Sequence, residues 1–371
     1  MQDIIIIGGG LSGLVNSICL SRAGLTVTLI EKKSYPFHRV CGEYISNEVL
    51  PFLNSIDVDI QSLNPSKINR LKVTSPLGAE INTILDLGGF GVSRFTLDNY
   101  LFQLAIKYGV TFLLNTQVQD VIYQKDQFRV LAGNSEDLNS KIVIGSFGKR
   151  SNLDRHMNRS FFYKRSPYVA VKYHIKTDAP ADLISLHNFR DGYCGMSMVE
   201  DQKFCLCYMT TRENLKSAGD IPALENEILS VNKNLDYIFK NSDFLYEKPE
   251  VINEISFSPK TAVENHVLMS GDAAGMITPL CGNGMAMAIH STKILSELII
   301  KHFPRINESR TLLEREYSDQ WNKLFARRLM TGRIIQKLFG KEWLTEMSIR
   351  MLGKSPGLTN KIVSLTHGKE F

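Results

Sequence analysis

The stretch that decides the fold is "DIIIIGGGLSGLVNSICLSRAGLTVTLIEKK", which runs from Asp3 to Lys33. A run of isoleucines at 4–7 leads into a glycine turn, apolar residues then recur at helical spacing, and a second apolar run at 27–30 ends at Glu31. This succession predicts a strand, a helix and a second strand parallel to the first. It is typical of the opening unit of a Rossmann-type α/β domain.

The glycines in this unit match the fingerprint of a dinucleotide site. Gly8 permits the tight turn, Gly10 lets a pyrophosphate approach the backbone, and Gly13 lets the helix pack on the strand. Phosphate binds at the helix N-terminus, and an acid at the end of the second strand accepts hydrogen bonds from a ribose. The predicted cofactor-binding residues here are Gly8, Gly10, Leu11, Ser12, Gly13, Glu31 and Lys32. The fingerprint alone does not separate FAD from NAD.

The stretch "HVLMSGDAAGMITPLCGNGMAMAIHSTKILSELI", at 266–299, resembles the second FAD motif of the flavoprotein monooxygenase and geranylgeranyl reductase superfamily. The resemblance implies FAD as the cofactor, with Asp272 on the ribityl chain and the next helix facing the pyrimidine end of the flavin. A helix N-terminus there would stabilise negative charge on the reduced ring. The residues that the motif implies are Gly271, Asp272, Pro279, Gly282, Asn283, Gly284 and Met285.

Two further segments extend the resemblance. "SRFTLDNYLFQLAIKYGVTFLLNTQVQDV" is similar to the family helix whose arginine, Arg94, lies near the pyrophosphate, and the strand after it adds Val118. In "SKIVIGSFGKRSNLDR" Phe147 replaces the family's aspartate, while Gly148 of the motif remains. That aspartate helps NADPH-using aromatic hydroxylases hold both nucleotides, so its loss argues against direct use of NADPH. The alternative is that Phe147 merely packs, and the donor stays open between NAD(P)H and a separate reductase or ferredoxin.

The loop "YPFHRVCGEYIS", at 35–46, resembles the segment that runs along the flavin in the geranylgeranyl reductase branch. Gly42 would let the backbone lie against the ring, and Arg39 would meet the pyrophosphate or ribityl side. Cys41 and Glu43 are candidate catalytic residues. The alternative for Cys41 is packing, since a cysteine in a loop is more often structural than reactive.

The organisation predicted from this resemblance is a discontinuous FAD-binding domain (1–75, 94–158 and 252–310). A substrate-binding antiparallel β-sheet (76–93 and 159–251) is inserted into it, and a helical cap (311–371) follows. Alternating segments such as "YVAVKYHI" and "KFCLCYMT" supply the strands. In "GYCGMSMVE" we expect Tyr193, Cys194, Met196 and Met198 to line the pocket, with Tyr193 as a third catalytic candidate. Core packing is the alternative for these residues.

Composition narrows the class of protein. The chain of 371 residues can bury a sizeable core, its first apolar run is too short for a signal or spanning helix, and a cytoplasmic location is expected. Six cysteines without metal-site spacing indicate reduced thiols and no metal site. From Gln320 onward ten Lys or Arg face three Glu. This basic tail, mixed with apolar residues, favours either a solvated helical cap or peripheral contact with an anionic membrane, and not nucleic-acid binding.

The function that these patterns favour is an FAD-dependent monooxygenase acting on an apolar small molecule of aromatic, polyketide-like or lipid-like type. The first alternative is a flavin-dependent alkene reductase similar to geranylgeranyl reductase. A flavoprotein without catalytic activity is the second. Cys41 favours the reductase branch, whereas the missing aromatic motif of its lipid pocket disfavours it.

Overall fold

Two β-sheets, built from segments that alternate along the chain, form the molecule. The computed structural model describes residues 1–133, 137–253, 255–278, 280, 282–338, 342–355, 357–359, 362–363 and 368–371. The strands are β1 (Gln2–Ile7), β2 (Val27–Ile30), β3 (Tyr44–Ser46), β4 (Ser66–Thr74), β5 (Glu80–Gly91), β6 (Thr111–Leu113), β7 (Val118–Gln124), β8 (Gln127–Ala132), β9 (Leu138–Gly145), β10 (Tyr168–Lys176), β11 (Leu183–Phe189), β12 (Gly192–Met198), β13 (Phe204–Thr211), β14 (Asp243–Phe244), β15 (Glu250–Asn253), β16 (Val263–Glu264) and β17 (Val267–Met269). The helices are α1 (Leu11–Arg22), α2 (Leu50–Ser55), α3 (Arg94–Lys107), α4 (Asn152–His156), α5 (Arg212–Ala218), α6 (Ile221–Glu227), α7 (Lys233–Asn241), α8 (Gly284–His302), α9 (Ile306–Leu338) and α10 (Glu342–Gly353).

The first sheet has the order β16-β17-β9-β1-β2-β6, with β7 and β8 attached beside β9. Strands β17, β9, β1, β2 and β6 are parallel, and Ile7 pairs with Ile30 on one side and with Gly145 on the other. The isoleucines of β1 are at most 5% exposed, as expected for a strand covered on both faces. Because parallel strands end at the same edge, the loops after β1, β9 and β17 meet there.

The second sheet has the order β14-β10-β13-β12-β11-β4-β5-β3, and β15 also pairs with β10. Its pairs are antiparallel, as predicted, except that β11 runs parallel to β4. The chain between these two strands passes through the first sheet, and such a long connection permits a parallel pair. Helices α6 and α7 bury Leu224 and Leu235 against one face of this sheet.

The division between the two sheets does not follow a simple insertion of one domain into the other. Strands β3 and β4 lie within the stretch 1–75 that the sequence assigns to the FAD-binding domain, yet both pair inside the second sheet. The segment after β2 therefore crosses from one sheet to the other. That crossing segment is the loop at 35–46.

Helix α9 supports the segment that follows β17. The Tyr317 hydroxyl donates to the Met269 carbonyl over 2.5 Å, and the Thr278 hydroxyl donates to the Gly332 carbonyl over 3.1 Å. Between these bonds Trp321 lies so close to Gly275 that an added Cβ would come within 2.6 Å of its ring. Among the described helices, none combines the length and the apolar character needed to cross a membrane.

Candidate active site

A glycine cradle forms where β1 turns into α1. Gly8 has φ +100°, and a Cβ there would lie 2.5 Å from the Ser146 carbonyl oxygen. A Cβ at Gly13 would collide with the Gly8 carbonyl, so this glycine serves the packing of helix on turn. At Gly10 the nearest atom to such a Cβ is the Arg94 guanidinium, 3.8 Å away. Gly10 therefore borders open space at the N-terminus of α1, where backbone N–H groups favour an anion.

Two arginines are held at this cradle by one buried carboxylate. Asp98, which is 1% exposed, accepts hydrogen bonds from Arg39 Nε at 2.9 Å and from Arg94 Nε at 2.7 Å. Arg39 also donates to the Gly9 carbonyl. Sequence reasoning missed Asp98, although its place four residues after Arg94 on a helix is the spacing of an ion pair. The arrangement fixes two cations beside the open space at Gly10.

Glu31 closes the other side of the cradle. Its carboxylate accepts hydrogen bonds from the Gly9 N–H at 2.8 Å and the Lys33 N–H at 3.1 Å. The side chain is 5% exposed and still lines the cavity. Because a carboxylate can accept about four hydrogen bonds, capacity remains for a ribose hydroxyl.

The turn after β17 forms the next wall. Lys260 Nζ donates to the Asp272 carbonyl at 2.7 Å and to the Lys149 carbonyl at 2.8 Å, which ties this turn to the loop after β9. Burial lowers the pKa of Lys260 to about 8. The Asp272 side chain lines the cavity, as do Gly271 and, at the start of α8, Gly284. The N-terminus of a second helix thus reaches the cavity.

The loop at 35–46 is bound to the second sheet through its backbone carbonyls. Lys172 Nζ donates to the Arg39 carbonyl at 3.1 Å, and the Cys205 thiol donates to the Cys41 carbonyl at 3.2 Å. The carbonyl of Gly42 accepts a longer bond, of 3.4 Å, from the Ser197 hydroxyl. Three adjacent strands of that sheet therefore hold the loop in place.

Glu43 lies at the centre of this attachment. It is 0% exposed, with one carboxylate oxygen 2.5 Å from Lys172 Nζ and 2.7 Å from the Arg94 backbone N–H, and the other 2.6 Å from His174 Nε2. Burial alone would raise the pKa of Glu43, but Lys172 and His174 outweigh it and lower the pKa to about 2. Burial likewise opposes the charge of Lys172, while Glu43 raises its pKa to about 12. The pair is ionised inside the protein.

Glu43, His174 and Cys205 also bring potential metal-ligand atoms within 4.8 Å of one another. The Lys172 ammonium already binds the same carboxylate. A cation placed among these atoms would meet that positive charge at short range. The cluster therefore suits an ion pair better than a metal ion.

An apolar wall faces the cradle across the cavity. Its residues are Ile184, Leu186, Tyr193, Met196, Cys207, Ile252, Met276 and Ile277. Cys194 and Met198, which we expected to line the pocket, instead pack in the core behind the sheet. The two-residue period of a strand turns Cys194 away from the face that Tyr193 occupies, whereas Met196, which shares the parity of Cys194, packs in that core and also borders the cavity.

Cys41 lies between the cradle and the apolar wall. Its Sγ is 3.6 Å from Met285 Sδ, and the residue is partly buried at the cavity surface. Cys207 lines the same cavity from the second sheet. Burial raises the pKa of Cys207 to about 12. A thiol from each half of the molecule thus borders one space.

The cavity has a volume of about 920 Å³, near the upper end of the range for small-molecule sites. Phe147 and Lys149 also line it. Most of the predicted site residues border it, namely Gly8, Gly10, Leu11, Ser12, Glu31, Lys32, Arg39, Cys41, Gly42, Glu43, Arg94, Val118, Gly148, Tyr193, Gly271, Asp272, Gly282, Gly284 and Met285. Gly13 and Asn283 are not in its lining, and Pro279 lies outside the described residues.

These features fit FAD. Open space at Gly10 beside a helix N-terminus and two cations suits a pyrophosphate, and Glu31 has acceptor capacity for a ribose. The cavity then continues past Asp272 to the start of α8. An elongated dinucleotide needs polar groups and open space in this order along the cavity.

Comparison with known proteins agrees with a site for FAD. The model of the family described as FAD binding domain matches residues 1–314. Digeranylgeranylglycerophospholipid reductase 1 of Methanococcoides burtonii is 22% identical over 365 residues, covering 91% of this chain and 83% of its own. Squalene monooxygenase of Rattus norvegicus is 23% identical over 380 residues, covering 95% of this chain and 64% of its own. Conditioned medium factor receptor 1 of Dictyostelium discoideum is 23% identical over 360 residues, covering 88% and 68%.

Solved structures share the fold. A geranylgeranyl bacteriochlorophyll reductase-like protein from Thermoplasma acidophilum superposes with a TM-score of 0.80 at 16% identity, covering 98% of this chain and 94% of its own. The flavin-dependent halogenase CmlS also gives a TM-score of 0.80, at 18% identity, covering 97% and 71%. At such identities the likeness concerns the architecture of the two sheets and their helices.

Proposed function

Since the chain belongs to the FAD binding domain family, we propose that this FAD-dependent oxidoreductase is a monooxygenase that hydroxylates an apolar small molecule. The observation that carries the proposal is the single cavity that joins the glycine cradle to the apolar wall. Cofactor and substrate would therefore meet in one space. Monooxygenation requires such contact, with water excluded from the reacting atoms.

The chain's own residues supply binding sites along the cofactor. The N-terminus of α1, with Arg39 and Arg94, would hold the pyrophosphate, and Glu31 would hold the adenine-side ribose. Asp272 would hold the ribityl chain, and the N-terminus of α8 would stabilise negative charge on the ring. Bound FAD supplies the electrons, either for activation of dioxygen or for hydride transfer.

The residues of the apolar wall would orient the substrate and exclude water. Tyr193 is the polar exception in that wall, and its hydroxyl would donate a hydrogen bond to a substrate oxygen or move a proton there. For Glu43 we propose a positioning role in place of the catalytic role expected from the sequence. Its carboxylate is fully buried and engaged by Lys172, His174 and the Arg94 N–H.

The second candidate function is reduction of an alkene, favoured by the position of Cys41 at the junction of the two walls. Alkene reduction adds a hydride to one carbon and a proton to the other. The Cys41 thiol would donate that proton and regain it from water. Hydroxylation needs no such donor at this point.

A single-turnover experiment separates the two functions. The holoprotein is photoreduced without oxygen and mixed with geranylgeraniol or 2-naphthol, and one half of each mixture then receives ¹⁸O-labelled dioxygen. A monooxygenase gives a hydroxylated product that carries the label, and none without dioxygen. Formation of dihydrogeranylgeraniol in the oxygen-free half would instead establish the reductase. Recovery of both probes unchanged in both halves would contradict both functions for these substrate types.

For the electron donor we propose a separate reductase or ferredoxin. Phe147 replaces the family's aspartate at the cavity, and its ring packs within 2.8 Å of the position that a Cβ on Gly145 would take. An apolar ring there offers no charge to a pyridine nucleotide. Stopped-flow mixing with NADPH or NADH should reduce the flavin slowly, whereas a reduced ferredoxin should reduce it fast. Rapid reduction by NADPH alone would refute the separate donor.

We also propose peripheral contact between the C-terminal helices and an anionic membrane. Trp343, Met347 and Met351 repeat every four residues on α10 and are 64%, 56% and 59% exposed. Exposed basic residues, Arg350 and Lys354, lie beside them. Such a face suits an anionic lipid surface. The protein should sediment with phosphatidylglycerol vesicles and not with phosphatidylcholine vesicles, and Met347→Ser with Met351→Ser should abolish this. Sedimentation that is unchanged in the double variant would contradict the proposed contact.

A further inference from the structure

The buried cluster of Glu43, Lys172 and His174 connects the two walls of the cavity. Lys172 and His174 lie two residues apart on β10, so both point to the same face of the second sheet. Glu43 follows directly after Cys41 and Gly42, which line the cavity. The contact joins the sheet that carries the apolar wall to the loop beside the cradle.

The same carboxylate also determines where Arg94 lies. One oxygen of Glu43 accepts the Arg94 N–H, the first N–H of α3, at 2.7 Å. The Arg94 side chain then extends to Asp98 and towards Gly10. A displacement of Glu43 would therefore move Cys41 on one side and the start of α3 on the other.

Packing alone does not require charges at these positions. An apolar trio of similar volume would fill the space without the cost of burying ions, and such replacements are often neutral or stabilising. The ion pair instead places a fixed positive and a fixed negative charge beside the cavity, in surroundings where water screens them little.

We propose that Lys172 and His174 are positioning residues that act through Glu43. They fix the Cys41–Gly42 wall of the cavity and set the redox potential of the bound FAD. The inference deepens the proposed function, because it rests on the flavin ring lying beside Cys41 and Gly42.

The placement of the ring is tested first, and separately. Wild-type protein, with FAD and after its removal, is treated with iodoacetamide, and the alkylation of each cysteine is followed by peptide mass spectrometry. Bound FAD should slow the alkylation of Cys41 at least about tenfold, which corresponds to about 1.4 kcal/mol of protection. Equal rates would overturn the placement in the proposed function, whatever the variants below do.

The positioning role is tested by the midpoint potential of the holoprotein. Lys172→Met removes a positive charge and should shift the potential to a more negative value, whereas Glu43→Gln should shift it to a more positive value. The double variant should return close to wild type, because its net charge at the cluster is restored. Lys240→Met, an exposed lysine on α7 paired with Asp236, is the matched control and should change nothing.

The signs of the shifts in midpoint potential distinguish a positioning role from a local loss of structure. Local disorder would shift both single variants in the same direction and would leave the double variant shifted as well. Shifts of equal sign, or no shift, would overturn the inference. His174→Gln keeps a hydrogen-bond donor for Glu43 while removing the imidazole, and it should speed alkylation of Cys41 in the holoprotein less than Lys172→Met does. If Lys172→Met does not fold, His174→Gln is compared with wild type, and an unchanged rate of Cys41 alkylation would overturn the inference.

Discussion

Removal of Lys172 should destabilise the protein far more than removal of a surface lysine. Lys172→Met leaves Glu43 ionised in a site where both side chains are at most 2% exposed. Loss of one partner of a buried ion pair costs about 3 to 5 kcal/mol, because the remaining charge stays without compensation.

The pKa values of the pair give a second measure of its strength. A fall in the pKa of Glu43 from 4.5 to about 2 corresponds to about 3 kcal/mol of favourable interaction with the ionised carboxylate. The rise for Lys172 from 10.5 to about 12 corresponds to about 2 kcal/mol, and the value for Glu43 is larger because His174 also stabilises that carboxylate. We therefore expect Lys172→Met to lower the free energy of unfolding by about 3 kcal/mol.

The assay is urea denaturation followed by circular dichroism at pH 7, with Lys240→Met as the control. The exposed pair of Lys240 and Asp236 should contribute no more than about 0.5 kcal/mol. Glu43→Gln combined with Lys172→Met should recover most of the loss, because no uncompensated charge remains. A loss below about 1 kcal/mol in Lys172→Met would refute the reasoning.

The pH dependence of stability tests the contribution of the Glu43–Lys172 pair independently. The folded pKa of Glu43 lies below its unfolded value, so its contribution is present above pH 4.5 and is lost as the pH falls towards 2. The Lys172 contribution is present below pH 10.5 and is lost as the pH rises through about 12. The loss in the free energy of unfolding as the pH falls from 4.5 towards 2 should be smaller in Lys172→Met than in wild type.

The remaining predictions concern the cofactor and the thiol. Asp272→Ala should weaken FAD binding at least about tenfold, measured by flavin fluorescence, since a hydrogen bond to a charged group contributes about 1.5 to 3 kcal/mol. The exposed Asp178→Ala is the control, and full FAD retention in Asp272→Ala would show that the ribityl contact is elsewhere. Cys41→Ser should change turnover or flavin potential, and if both match wild type the thiol only packs. Phe147→Asp should speed flavin reduction by NADPH in stopped-flow mixing, and an unchanged rate would mean that Phe147 does not limit donor use.

The elements with strong local periodicity were predictable from the sequence. The predicted strand at 27–30 has the bounds of β2, and the segments "YVAVKYHI" and "KFCLCYMT" supply β10 and β13 within one residue of their bounds. Each has a clear apolar run or a glycine at its boundary, so local preference and tertiary packing agree there.

Long-range pairings were not predictable in the same way. Nothing in the local pattern of Ser66–Thr74 indicates that it pairs with β11 in parallel. Likewise, a strand's period groups Tyr193 apart from Cys194 but does not say which group faces the cavity.

Part of the cluster around Glu43 is visible in the sequence, but the partner of its basic residues is not. Lys172 and His174 interrupt the otherwise apolar strand "YVAVKYHIK" on one face. Charged residues inside a buried strand need a partner, but the partner lies 129 residues away from Lys172 along the chain. Only the fold brings them together.

The contacts of α9 with the turn after β17 bear on where the folding unit ends. The family match stops at residue 314, yet Tyr317, Trp321 and Gly332 contact the segment from Met269 to Thr278, in the same order along both segments. A fragment cut at the family boundary would retain every glycine of both FAD motifs and lose the scaffold beneath the second one. The folding unit therefore extends beyond residue 314, through α9 at least as far as Gly332.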